Sequence, residues 1–330
     1  MSEAYKEIIP PSLQEIEEAA IALKPYIYHT PVSQWIGPGK DEYVGAETKV
    51  HIKMEMLQYG GSFKPRGALT VMQHLTQEQK AKGVTAVSAG NHAIAVAFAA
   101  QVIGTPAKVV MPKTANPFRV KRCKEFGTEV VLVNDVAEAF EEVERIKTEE
   151  GRIFVHPFEG KQTAIGTGTL GREFCMQVPD LDAVIIPIGG GGLAAGMSTA
   201  IKYLQPSCKI YGVEPVGADS MYRSFQSGQP EKIEAVRTIA DSLGSPFALP
   251  YSFTLCQQHL EKIVLVEDHQ LRTAMRVMFA ELKLGAEPAG AASLAALMGP
   301  LKQELAGKKV GLIACGSNID VESFFKLLNI

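Results

Sequence analysis

Apolar positions recur along the chain with two periods, and the alternation between them defines the expected elements. Leu13, Ile16, Ala20 and Leu23 follow helical spacing behind Ser12-Leu13-Gln14-Glu15. That tetrad is a capping box, in which Ser and Glu side chains satisfy free N–H groups of the first turn, so a helix is predicted from residue 13. Beyond residue 80, short β-branched runs take over. "VTAVS" (84–88) leads into the helical pattern "NHAIAVAFAAQVIG", and "AKVVM" (107–111) into a helix opening near Asn116-Pro117. "TEVVLV" (128–133) leads into "AEAFEEVERIKTEE", and "RIFVH" (152–156) closes the series. A second series repeats the pattern: "AVIIPI" (183–188), "KIYGV" (209–213), "KIVLV" (262–266) and "VGLIAC" (310–315). Alternating strand and helix predicts parallel strands joined by crossover helices. Two series predict two α/β lobes with the cleft between them as the default site.

Composition narrows the class. With 46% hydrophobic and 21% charged residues over 330 positions, the chain reads as a globular enzyme with room for a large core. A net charge of −3 and the lack of a long basic run argue against a nucleic-acid surface. No apolar run reaches the length of a membrane span. The opening "MSEAYKEIIPPS" lacks the basic-then-apolar layout of a signal peptide. The five cysteines, Cys123, Cys175, Cys208, Cys256 and Cys315, are scattered without a CxxC pair. They read as reduced thiols rather than a disulfide frame or a zinc site, which points to the cytoplasm.

Two features carry candidate chemistry. Gly189-Gly190-Gly191-Gly192 follows the strand pattern "AVIIPI" and precedes the helical "LAAGMSTAIKYL". Glycines at a helix N-terminus let backbone N–H groups close on a phosphate, whereas a plain strand-to-helix turn seldom needs four of them. The run lacks a GK[ST] ending, and GxGxxG spacing with a ribose-binding acid is absent. The phosphate therefore belongs to something other than a triphosphate or a dinucleotide. The second feature is Lys64 in "GGSFKPRGA" (60–68), an amine between Phe63 and Pro65, just before a helix start. It is either a buried nucleophile or a basic residue at a turn. A phosphate cup together with an amine in an apolar setting suggests pyridoxal phosphate, whose aldehyde needs an amine with a depressed pKa.

The segments "GGSFKPRGA", "SAGNHAIAVAFAA", "VHPFEGKQTAIGTGT", "IPIGGGGLAAG", "EPAGAASLAAL" and "CGSNID" occur in that order between residues 60 and 320. In this the chain resembles the fold type II pyridoxal-phosphate enzymes, specifically the threonine/serine dehydratase and serine racemase group. The resemblance implies a two-lobed, open parallel-sheet fold similar to the tryptophan synthase β subunit. It implies a large cofactor-binding domain from residues 1–80 and 156–330, a small domain from 81–155, and no C-terminal regulatory domain. It implies Lys64 as the Schiff-base lysine and proton-abstracting base, with Phe63 beside the cofactor. Gly189 to Gly192, followed by Leu193, would hold the phosphate, Asn91 the ring oxygen and Cys315 the ring nitrogen. Ser88, Ala89, Gly90, Asn91 and His92 would bind the substrate carboxylate through the N-terminus of a helix. A homodimer acting on a small amino acid is also implied.

Departures from the pattern choose among relatives. At the second position of "SAGNH", Ala89 stands where serine racemases resemble "SSGNH", and a methyl group cannot deliver a proton to the opposite face of a carbanion. That favours β-elimination from a β-hydroxy-L-amino acid such as threonine or serine over racemisation. A cation site of the racemase-like members would match Glu214, Ala218 and Ser220. Ser220 replaces a carboxylate there, so no metal is expected, although a divalent or monovalent cation is the alternative. Finally, "IADSLGSPFALPYSF" (239–253) resembles dehydratases of the hydroxyectoine-utilisation type more than the usual threonine dehydratase loop. It either shapes the site for another substrate, such as 3-hydroxyaspartate or phenylserine, or packs elsewhere. A cofactor-binding protein without catalysis is the rival of another class.

Overall fold

The computed structural model describes residues 8–329, without the side chain of Val136. The first seven residues of the opening stretch read above lie outside the described residues. The capping box forms as its spacing predicts: Ser12 and Glu15 exchange hydrogen bonds, and the helix Leu13–Leu23 follows, burying Ile16, Ala19 and Leu23.

Among the described residues, ten strands form two sheets. β1 (Val32–Trp35), β2 (Lys49–Lys53), β7 (Ala183–Pro187), β8 (Lys209–Pro215), β9 (Lys262–Val266) and β10 (Lys309–Ile313) make a six-stranded sheet of order β1-β2-β10-β7-β8-β9. β3 (Val84–Val87), β4 (Ala107–Pro112), β5 (Glu129–Val133) and β6 (Ile153–Phe154) make a four-stranded sheet of order β5-β4-β3-β6. All pairings are parallel apart from β1 with β2, an antiparallel edge that the patterning does not announce. "VSQW" is too short to carry a strand signal, whereas "KVHIK" alternates polar and apolar as a half-buried strand does, a signal that the reading of longer β-branched runs passes over. β10 ends at Ile313, which leaves Cys315 in the loop beyond the strand.

β7 is central in the large sheet and buried along its whole length, as a continuous apolar run in a two-sided parallel sheet must be. Each fully buried Val or Ile side chain there stabilises the fold by about 1.5–3 kcal/mol. The helices Gly192–Leu204 and Pro288–Met298 pack against it, and Lys161–Gln177 packs against the first of these. Strand ends and helix starts of both sheets meet at one cleft. Such switch points are where open α/β sheets place ligands.

Candidate active site

Lys64 stands at the N-cap position of the helix Pro65–Gln73. Its loop lies on the segment after β10: Phe63 N–H donates to the Cys315 carbonyl at 3.1 Å, and Ser317 N–H to the Gly61 carbonyl at 2.9 Å. The side chain keeps some accessible surface on the cleft side, while the amine donates to the Pro157 carbonyl at 2.6 Å and lies 5.2 Å from the centre of the Phe63 ring. Burial brings its pKa down to about 8. His92, whose Nε2 contacts the Val155 carbonyl at 2.7 Å, and His156 are neutral neighbours. Burial and then the charge of Lys64 pull them down to about 3 and about 4. This lysine is a deep amine in a weakly solvating pocket, not a residue of a solvated turn.

Across the same cavity runs the glycine segment, Gly189 to Gly191 leading into the helix that begins at Gly192. Side chains are excluded there by contact. A Cβ on Gly190 would meet the Phe158 ring at 2.2 Å, and one on Gly192 the Phe158 carbonyl at 2.5 Å. Gly191 adopts φ +92°, a region that favours glycine. Leu193 and Cys315 line the cavity beside the run. The Cys315 thiol donates to the Ala289 carbonyl at 3.3 Å, and burial raises its pKa, so it stays protonated.

Ser88 to His92 form the turn between β3 and the helix Asn91–Ile103, where the first N–H groups have no partners within the helix. The Ser88 hydroxyl accepts from Gly90 N–H at 3.1 Å. Asn91 is held on all sides: its amide donates to Glu287 and, at 3.3 Å, to Ser242, while its oxygen accepts from Asn318 at 2.7 Å. Glu287 is itself buried, and burial pushes its carboxyl up to about 7 despite the pull of Arg119. Arg119 grips Asp241 through two bonds of 2.6 and 3.2 Å, approaches Glu287 at 3.4 Å, and donates to the Asn318 carbonyl at 2.9 Å. None of Arg119, Asp241, Glu287, Asn318 or Phe158 emerges from the sequence as a site residue. Only the acid of "EPAG", placed before a helix-opening proline, offered a local signal.

The 239–253 segment divides: its first half reaches the cleft, while Ala248 and Phe253 pack into the core around the large sheet. Asp241 to Leu243 make a single 3-10 turn whose backbone abuts Gly189, and Ser242 to Phe247 line the cleft, a cavity of about 280 Å³. The Glu214 carboxylate accepts from the N–H groups of Met221 and Tyr222 at 3.1 and 2.7 Å. Burial holds that carboxyl well above the usual range. Ser220 donates to the Ser245 carbonyl at 3.2 Å, and Ala218 is buried. Among the described residues, no group of three His, Cys, Asp or Glu gathers as a metal site.

Residues 23–316 match the family described as pyridoxal-phosphate dependent enzyme. The chain is 50% identical to a phenylserine dehydratase of Ralstonia pickettii, with 97% of both chains covered. It is 36% identical to an L-threonine ammonia-lyase of Thermotoga maritima, covering 96% of this chain and 78% of the relative. The solved structure of maize serine racemase superposes with a TM-score of 0.91 at 35% identity, covering 96% of this chain and 97% of that one. A glycine cup, a deep amine of lowered basicity and a match along most of the sequence thus agree, and the chain belongs to the pyridoxal-phosphate dependent enzyme family.

Proposed function

We propose that this protein deaminates a β-hydroxy-L-amino acid: the β-hydroxyl leaves as water, a water is taken up again when the resulting imine hydrolyses, and the products are a 2-oxo acid and ammonia. The observation that carries this reading is the pairing of Lys64 with the glycine run in one cavity, beside a carboxylate-binding turn whose second residue is Ala89.

The residues fit the cofactor. The bare backbone at Gly190 and Gly192 leaves N–H groups of a helix start for a phosphate. Asn91, fixed by Glu287 and Asn318, would hold the ring oxygen, Cys315 the ring nitrogen, and Phe63 and Leu193 the apolar flanks. When bound, pyridoxal phosphate supplies an electron-withdrawing ring that acidifies the substrate's Cα–H. The Lys64 amine, whose basicity burial lowers, takes the Cα proton. The turn from Ser88 to His92 holds the substrate carboxylate and so fixes the angle of that bond. Cys315 is a thiol rather than an acid, so the ring nitrogen meets no carboxylate, which favours expelling a leaving group over storing charge. Ala89 has no proton for the opposite face, which weighs against racemisation.

The scattered, buried and unpaired cysteines suit a cytoplasmic enzyme. A large domain of residues 1–80 and 156–330 and a small one of 81–155 are part of the proposal, and the presence of two sheets supports it. A homodimer is proposed from the resemblance. Exposed Ile21 and Ile36 offer apolar surface, and light scattering at twice 35.6 kDa would bear it out. The test of function is Lys64→Ala in a 2-oxo acid assay with serine and threonine analogues. Formation drops by about 10³-fold or more, and retained turnover would remove the assignment.

A further inference from the structure

Resting on the dehydratase reading, we infer that the β-carbon of the substrate carries an aryl group, received by an apolar subsite formed by Phe140, Phe158, Pro246 and Phe247. All four line the cleft, Phe140 from the helix Val136–Glu150 beside the small sheet and Pro246-Phe247 from the segment facing it. Phe158 and Phe247 lie 6.1 Å apart between ring centres and tilted by 51°, within the range in which aromatic rings attract. Phe140 is 40% exposed, an apolar ring left at the cleft rather than in a core.

Lining, rigidity and charge all select the same ligand. The cleft of about 280 Å³ takes in the cofactor-site residues Lys64, Asn91, Gly189 and Gly190, and Phe140, Pro246 and Phe247 are apolar lining left for a β-substituent. Its outer wall is fixed: Ile233 N–H donates to the Pro246 carbonyl at 2.8 Å, Ala248 N–H to the Glu231 carbonyl at 2.9 Å, and the Ser245 hydroxyl to the Phe247 carbonyl at 2.7 Å. An acidic substituent finds no unengaged arginine among the residues that line the cleft. The cation that lines the cleft besides Lys64 is Arg119, already engaged by Asp241, Glu287 and the Asn318 carbonyl. The Asp241 side chain, 60% exposed, would repel a second carboxylate.

The test compares kcat/KM of the holoenzyme for L-threo-phenylserine, L-threonine and L-threo-3-hydroxyaspartate. It also titrates L-phenylalanine and L-alanine, which lack a leaving hydroxyl, against the cofactor absorbance. Phenylserine is expected to exceed threonine by at least about tenfold. Phe140→Ala and Phe247→Ala should each lower that ratio by about threefold or more. L-Phenylalanine should perturb the spectrum at lower concentration than L-alanine, with the gap narrowing in both variants. Threonine or hydroxyaspartate turned over as well as phenylserine, or a ratio that neither variant moves, overturns the subsite and leaves the dehydratase standing. No 2-oxo acid from any substrate, with L-phenylalanine still preferred, overturns the dehydratase and keeps the subsite.

Discussion

Two arginines, Arg66 and Arg119, each lie between two carboxylates near the cleft, and they do different work. Arg66 donates twice to Glu55 at 2.8 Å and to Glu173 at 3.0 Å, and Lys53 shares Glu173. Arg66, Glu55 and Lys53 are fully buried. Burial pushes the Glu55 carboxyl up, but Arg66 and Lys53 pull it further down, so it stays ionised. Two residues after Lys64, this cluster ties the start of the helix Pro65–Gln73 to the turn Glu55–Leu57 and to the helix Lys161–Gln177. Arg119 uses the same chemistry across the cleft, from the helix Pro117–Glu125 to Asp241 and Glu287, but its outer acid is in water. Solvent decides the difference. A charge stripped of its partner in the interior cannot rehydrate, whereas Asp241 can, so the first cluster is a foundation and the second a latch.

Glu55→Gln attacks the foundation and carries the largest expected effect. It leaves Arg66 under-neutralised in the interior, and the urea midpoint should fall by the equivalent of about 3–5 kcal/mol. A loss under ~1 kcal/mol would erase the contrast. Glu287→Gln probes the buried end of the latch through pH. The native Glu287 binds its proton up to about pH 7, against 4.5 ordinarily, because burial outweighs the pull of Arg119. The native state thus holds an extra proton between these values, and stability is lost as pH rises through that window. Relative to Glu287→Gln, the unmodified protein should lose up to about 3 kcal/mol between pH 4.5 and 7. Thermal melts of both across this range that differ by a constant offset would refute the buried-carboxyl picture. Asp241→Asn touches the exposed end and is the smallest: under about 1 kcal/mol in stability, with a severalfold change in kcat/KM that shrinks at high salt. A stability loss matching that of Glu55→Gln would make the two clusters alike.

What the sequence revealed follows from range. Lys64 and Gly189 to Gly192 are legible because each depends on its neighbours in the chain: a proline-opened helix, a strand-to-helix turn. The eight strands of the two repeating series are legible for the same reason, since β-branched runs and helical periods are local. The Arg119 network is assembled from five distant segments, around residues 91, 119, 241, 287 and 318, and Arg119, Asp241 and Glu287 look like ordinary surface groups until the fold collects them. β1 stays hidden because an edge strand needs no apolar run, and β2 because its five residues hold only two apolar positions among Lys and His. The 239–253 segment left two readings open, and only its contact with Gly189 and Asn91 brings its first half to the site.

One dipeptide touches both halves of the chemistry. The carbonyl of Pro157 accepts the Lys64 amine, and the next residue, Phe158, fills the space beneath Gly190 and Gly192 while its own carbonyl takes the Ser252 hydroxyl. The segment after β6 is therefore a rocker: a shift of an ångström there would loosen the amine and reshape the glycine cup in a single stroke. Whatever seats itself on the glycines presses, through one phenyl ring, on the strut that steadies the lysine.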